Sequence, residues 1–323
     1  MSLKKIKMIS TIGQRATVGL HLLELAKKNS KIMVITSDVS TSAGLDRFRK
    51  NFKNQYLDVG IAEQNLIGVA AGMASEGFDV ITTTFAPFQT MRCCEQIKVN
   101  LGYMKNKVIL IGLASGLVLG NLGYTHCSIE DIGVLRSIPN ISIVSPADSY
   151  ETIKAIEAAL KYKNSVYIRI TGGAPNPIVY ENDYNFRIGK TVKLVDGKDV
   201  CIFVCGSLTS EALKAHKNLL FKEIGASVIN VHTIKPLDEK EINEHIKDKK
   251  AVFSLEEHNV IGGLGSAISE IISSGKYSPP LFKIGINDNY DKGGSYEFLK
   301  VKNKLTGDLV TKKIIKELKN INS

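Results

Sequence analysis

The stretch YLDVGIAEQNLIGVAAGMASEG, residues 56–77, decides how the rest of the chain is read. Its first four residues are apolar or tolerant of β structure and lead to Gly60. Over residues 62–75, Leu66, Val69, Ala70 and Met73 recur at helical spacing on one face. The pattern predicts a strand, a tight turn and a helix whose many Gly and Ala residues allow close packing on a neighbour. Glu63 falls in the first turn. A carboxylate there is stabilised by the exposed N–H groups and the helix dipole whatever else it does. A strand-to-helix turn is also where open parallel sheets place their ligands. Both readings of Glu63 stand on this stretch alone.

Outward from it, apolar runs alternate with helical patterns as a parallel sheet requires. Residues 14–29 (QRATVGLHLLELAKKN) carry Val18, Leu22, Leu25 and Ala26 at helical spacing, and strands are predicted at 31–36, 79–83, 108–113, 141–144 and 166–170. Helices are expected near 89–101, 129–137 and 148–161, the last announced by Pro146-Ala147-Asp148 with Ile153, Ile156 and Leu160 facing inward. The segment TGGAPNPIVYENDYNFRIG, 171–189, has two prolines, three glycines and no periodicity, and reads as a linker. The α/β pattern then restarts with strands at 200–205, 226–230, 251–256 and 281–284 and helices near 208–223, 263–274 and from about 308. The expected organisation is an α/β parallel-sheet domain over 1–171, a linker over 172–189 and a smaller α/β domain over 190–323. Two domains suit 323 residues, because single cores rarely grow past about 250.

Composition narrows the function classes. There is no run of 18 apolar residues, and MSLKKIKMIS lacks an apolar signal core, so the expectation is a cytoplasmic chain with no membrane partner. The net charge of +10 is spread over scattered lysines rather than a stripe, so they read as solvated helix faces and no nucleic acid is expected. Cys93, Cys94, Cys127, Cys201 and Cys205 form no CxxC pair and no array with histidines, and read as reduced core thiols. Gly262, Gly263 and Gly265 follow a strand without matching GxGxxG, so close helix–strand packing explains them more simply than a nucleotide. His232 and His258 are read as structural or interface residues.

Three ordered motifs, DVGIAEQN (58–65), TTTFAPFQTMRCCEQ (82–96) and GYTHCSIEDIGVLRSIPN (123–140), resemble the pyrimidine-binding half of the transketolases. They are especially similar to the C-terminal subunit of transketolases split into two chains. VHTIKPLD and EEHNVIGGLGS resemble parts of that family's C-terminal domain, so the likeness spans nearly the whole chain. It implies thiamine diphosphate as cofactor and transfer of a two-carbon ketol unit. It also implies that Glu63 contacts the aminopyrimidine ring, where a hydrogen-bonded carboxylate favours the imino tautomer that can take the proton from the thiazolium carbon. Phe85 and Phe88 become the apolar box that stacks the pyrimidine, and Asp38 a residue beside the cofactor. His126 becomes the histidine that bonds substrate oxygens and assists proton transfer. Arg15, Ser42 and Arg92 correspond to positions near the active-site mouth, the first two matching donors to the substrate phosphate, and Arg169 is what remains of a phosphate-binding arginine pair.

The family holds the diphosphate through Mg²⁺ with a GDG motif, since a hard cation wants carboxylate, amide and carbonyl oxygens. This chain has no GDG. The resemblance therefore implies that Mg²⁺ is held by a separately encoded diphosphate-binding subunit, and that this chain homodimerises within an α2β2-like assembly, itself carrying no metal site. Two other readings share the architecture: the β subunit of a 2-oxoacid dehydrogenase, and a regulatory subunit that kept the fold and lost catalysis. DVGIAEQN and the THxxxED pattern favour transketolase.

The substrate expectation rests on departures from the family. Ala114 stands where ordinary members carry a histidine, Leu122 where they carry an aspartate, and Gly172 where the second arginine of the pair belongs. These losses remove phosphate contacts and a hydroxyl partner, which points to a non-standard sugar acceptor, deoxy, keto or nucleotide-linked. A conventional sugar phosphate remains open if the partner chain supplies the contacts.

Overall fold

The computed structural model describes residues 1–171 and 173–322. Numbered along the chain, the strands are β1 (Ile32–Thr36), β2 (Tyr56–Asp58), β3 (Asp79–Phe85), β4 (Val108–Leu113), β5 (Ile141–Val144) and β6 (Ser165–Arg169). They continue with β7 (Val192–Val195), β8 (Val200–Val204), β9 (Ala226–Asn230), β10 (Thr233–Lys235), β11 (Ala251–Asn259) and β12 (Leu281–Ile286). Two sheets result, one ordered β10-β5-β6-β4-β3-β1-β2 and one ordered β12-β11-β8-β9-β7. Both are parallel except at an edge, where β10 runs antiparallel to β5 and β7 antiparallel to β9. The central strands β1, β4, β8 and β9 are buried at every residue, as strands covered by helices on both faces must be.

The decisive stretch forms the expected elements, β2, a turn at Gly60 and the helix Glu63–Ser75, but its buried face is Leu66, Ile67, Ala70 and Ala71, which pack with Met33, Ile35 and Val80, while Val69 and Met73 of the expected face are only partly buried. The helix Ser149–Lys161 starts where Asp148 accepts from the Glu151 N–H at 2.8 Å, a side-chain N-cap. Among the described residues of 171–189 no helix or strand forms.

Several elements differ from expectation. The first helix runs Leu3–Ala26 and bends at Gly13 (φ +77°), so the helical segment begins well before the expected start. The lysines at 4, 5 and 7 obscure its apolar side, yet Ile6 and Ile9 are buried against Tyr150, Ile153 and Tyr180. The helix expected near 89–101 is broken into Ala86–Gln89, Cys94–Gln96 and a π-helical turn Ile97–Tyr103. β10 lies far along the second half of the sequence but completes the first sheet, so residues 190–323 are not confined to one layer system. β7, β10 and the helices Asp46–Asn51, Glu239–Ile246 and Tyr296–Lys302 were not foreseen.

Candidate active site

β4, β3, β1 and β2 are sheet neighbours in that order, and the loops leaving their carboxyl ends carry most of the candidate residues. At the end of β2, Asp58 Oδ1 accepts from the Gly60 N–H at 3.0 Å and from the Asp38 N–H at 2.9 Å, which ties the β1 exit to the β2 exit. Ser37 Oγ donates to the Gly60 carbonyl at 2.6 Å and accepts from the Ala62 N–H at 3.1 Å. Gly60 takes φ +71°, a conformation that side chains resist. This braced turn sets the start of the helix and with it Glu63.

Glu63 is buried, and its Oε2 lies 2.8 Å from Arg92 Nη1. The Arg92 guanidinium lies over the Phe88 ring, Cζ 3.9 Å from the ring centroid. Phe88 meets Phe85 edge-on at 6.3 Å between centroids and meets His126 at 5.3 Å; Phe85 and His126 are 6.5 Å apart. Glu63, Arg92, Phe88, Phe85 and His126 thus form one contiguous chain of contacts drawn from three motifs. His126 Nδ1 lies 3.0 Å from Thr125 Oγ1. Burial, reinforced by the Glu63 carboxylate, pushes the adjacent Cys93 thiol up to about 12, so it stays a protonated packing group.

The other candidates sit differently. Asp38 is exposed with φ +54°, and Ala114 at the β4 exit is buried with φ +51°; two non-glycine residues in left-handed conformations mark these loops as held by their surroundings. Ser42 is exposed on a loop that packs through Gly44 onto the backbone of Arg15 and Ala16, and burial lowers the Arg15 guanidinium from its usual value. Arg169 is not brought to the site. Its Nε meets Asp131 Oδ2 at 2.8 Å and its Nη2 donates to the carbonyls of Ser128 at 3.0 Å and Glu257 at 2.9 Å, all buried. The expected substrate role of Arg169 is corrected by this geometry, because its Nε and Nη2 donors are committed to interior acceptors. Gly172 lies outside the described residues.

Sequence reading missed the residues that hold the loop bearing His126. The loop closes on itself where Gly116 and Ser128 pair, and Leu117 N–H donates to Glu257 Oε1 at 2.6 Å. A Cβ on Gly116 would fall 2.2 Å from that same oxygen, so only glycine fits there. Glu257 Oε2 in turn accepts from Tyr296 at 2.7 Å and Ser207 at 3.0 Å. Asp131, in the THxxxED pattern, accepts from Tyr167 at 2.7 Å beside its bond to Arg169. The signal available was the pair of adjacent acidic residues Glu256-Glu257 inside a strand that opens on the apolar run Ala251-Val252-Phe253. Among the described residues no group of three or more His, Cys, Asp or Glu side chains is placed to hold a metal ion, and no helix is long and apolar enough to cross a membrane.

Residues 10–175 match the family model for the transketolase pyrimidine-binding domain, and residues 189–301 match that for the transketolase C-terminal domain. The chain is 38% identical over 278 residues to one subunit of an apulose-4-phosphate transketolase of Phocaeicola vulgatus, covering 85% of this chain and 88% of that one. It is 37% identical over 286 residues to a 6-deoxy-6-sulfo-D-fructose transketolase subunit of a Clostridium species, covering 88% of each. Among solved structures, a split-gene transketolase described as an inactive β4 tetramer superposes with a TM-score of 0.85 at 36% identity, over 95% of this chain and 98% of that one.

Proposed function

Since the chain belongs to the transketolase family, whose cofactor is thiamine diphosphate, we propose that it is the pyrimidine-binding subunit of a two-component transketolase, active only with a separately encoded diphosphate-binding partner. The observation that carries this reading is the convergence of Glu63, Phe85, Phe88 and His126 at the carboxyl ends of neighbouring strands. The residues fit an aminopyrimidine. Arg92 supports this reading, since its guanidinium lies over Phe88 while bonding Glu63, the two contacts asked of the ring. When bound, thiamine diphosphate supplies a thiazolium carbon that acts as nucleophile.

Glu63 Oε2 is the atom placed to share a proton with the ring, and its burial keeps water from competing for that bond. Phe85 and Phe88 orient the ring against it. His126, on the same aromatic floor, holds or moves a proton at a substrate oxygen. Asp38 flanks the cofactor, and Arg15 with Ser42 meets an anionic group of the substrate farther out. Mg²⁺ belongs to the partner chain in this reading, because the GDG motif is absent here. The assembly is an α2β2-like heterotetramer, cytoplasmic, in which two copies of this chain meet.

The substrate is a non-standard sugar. Three features support this: Leu122 is exposed at the loop before His126, Ala114 is sealed inside, and Arg169 faces the interior. The relatives named for apulose 4-phosphate and sulfofructose lie on the same side of that choice.

The test is reconstitution. The isolated chain is expected to transfer no ketol unit and the pair to transfer it, while Glu63→Gln assembles normally and loses turnover by a factor of order 10²–10⁴. Full activity of the chain alone, near-normal turnover in the Gln variant, or oxoacid decarboxylation in place of ketol transfer would each overturn the reading.

A further inference from the structure

We infer that Arg92 has two positions: in the empty chain its guanidinium occupies the place of the aminopyrimidine, and in the loaded enzyme it swings outward to meet the anionic group of the substrate. The inference deepens the function proposed above and rests on it. The guanidinium lies 3.9 Å over Phe88 and donates to Glu63 at 2.8 Å. A stacking contact with Phe88 and a bond to Glu63 are also what that reading asks of the cofactor ring. Two flat groups cannot hold one ring face and one carboxylate oxygen together, so Arg92 must leave when the ring arrives.

The geometry permits the exchange. The Arg92 side chain is 43% exposed and that of Glu63 only 5%, so the arginine reaches in from solvent and can return to it. Its backbone stays fixed, because Gln64 Nε2 donates to the Arg92 carbonyl at 3.1 Å and ties the turn to the helix Glu63–Ser75. Movement is therefore confined to the side chain. While the arginine is in, the buried carboxylate has a charged partner and the empty chain avoids an unpaired charge in its interior. Once out, the cation lies at the rim of the cleft beside Phe88 and His126, where an anionic substrate enters.

One substitution should then move two constants in opposite directions. In the reconstituted pair, Arg92→Met removes the competitor for Glu63, so thiamine diphosphate measured by calorimetry with Mg²⁺ should bind roughly fivefold tighter, the scale of a partly exposed ion pair. The same variant loses the outer contact, so the KM for its sugar phosphate or sulfonate substrate should rise about tenfold or more. Arg92→Lys keeps the charge but cannot lie flat on Phe88; it should restore much of the KM while leaving cofactor binding tighter than in the wild type. A merely structural arginine would weaken both constants or neither. If the wild-type pair binds cofactor and turns over while neither variant binds it more tightly, the two-position inference is wrong and the function stands. If the wild-type pair neither binds thiamine diphosphate nor transfers a ketol unit, both fall.

Discussion

The chain contains two arginine–carboxylate pairs of the same length, 2.8 Å, and they behave as different devices. Arg92 and Glu63 meet at the mouth of the cleft with the arginine half in water; Arg169 and Asp131 meet with 2% and 0% exposure. Arg92 makes one charged contact and one stacking contact, both with groups that a ligand also needs. Arg169 binds Asp131, Ser128 and Glu257, linking β6, the base of the His126 loop and β11. Number of partners and access to water, rather than bond length, separate a pair that can open from one that cannot.

The largest effect should come from the buried pair. Arg169→Met leaves the buried Asp131 without its ion-pair partner and removes a donor from the Ser128 and Glu257 carbonyls, and breaking a pair of this kind costs about 3–5 kcal/mol. Arg92→Met also leaves the buried Glu63 carboxylate without its partner, but at a mouth open to water, so it should lower stability by less, about 1–2 kcal/mol. Denaturant unfolding of both variants measures the difference, and equal losses would abolish the distinction between the two arginines. Because Arg169 also fixes the Ser128 carbonyl in the loop bearing His126, its variant should show raised KM values even under conditions where it stays folded.

A second test sharpens the comparison through pH, since the buried region is titratable. His258 donates from Nδ1 to the Asn259 carbonyl at 2.7 Å and accepts at Nε2 from the Gly133 N–H at 3.3 Å, an arrangement that suits the neutral ring; burial lowers it to about 4. Its neutral form favours folding above pH 6.5, and that contribution is lost as pH falls through about 4. Glu256, 3.9 Å away, is pushed up to about 7 by burial although it accepts from the Leu264 and Gly265 N–H groups. Its contribution has the opposite sign: present below about 4.5 and lost as pH rises through about 7. Each is worth about 3 kcal/mol, so they offset between pH 4.5 and 6.5. Glu256→Gln should leave the histidine unopposed, and stability should then fall more steeply than in the wild type as pH drops from about 6.5 to about 4. Tm against pH for the two proteins reads this directly, and parallel curves would show that the two groups do not offset.

What the sequence made legible follows the same division. Glu63, Phe85, Phe88 and His126 could be found because each lies in a short motif whose local pattern fixes a strand end or a first helical turn. Arg169 could not be placed: a cation at the end of a buried strand reads the same whether it faces a ligand or an interior carboxylate, and its partners Asp131 and Glu257 lie 38 and 88 residues away. The same limit hid β10, whose Thr233 and Lys235 pair with β5 across a separation that no periodicity reports. The π-helical turn at Ile97–Tyr103 escaped for another reason, since its apolar spacing is close to that of an α-helix.

The smallest expected effect lies at an exposed side chain of the same loop whose base Arg169 holds. Leu122 ends a short 3-10 turn, is 57% exposed, and touches the His126 segment through its carbonyl, 3.4 Å from Thr125 Oγ1. An exposed side chain has little packing to lose, so Leu122→Asp should leave unfolding within about 0.5 kcal/mol of the wild type. What changes is the surface shown to a substrate hydroxyl beside the reacting carbon. Leu offers no partner there, and a carboxylate accepts a charge-assisted bond worth about 1.5–3 kcal/mol before the ordering of an exposed side chain is subtracted. The net gain should be close to tenfold in kcat/KM for xylulose 5-phosphate with ribose 5-phosphate, starting from a wild-type value below about 10⁴ M⁻¹s⁻¹, the lower end of ordinary enzyme efficiency. A substrate lacking that hydroxyl should lose efficiency in the variant, because a new carboxylate must be desolvated against it without repayment. The sign of the change across the two substrates is the decisive readout. If the variant moves both alike, Leu122 does not face the substrate; if the wild-type pair already turns over the ordinary sugar phosphates at or above that efficiency, the non-standard substrate is wrong.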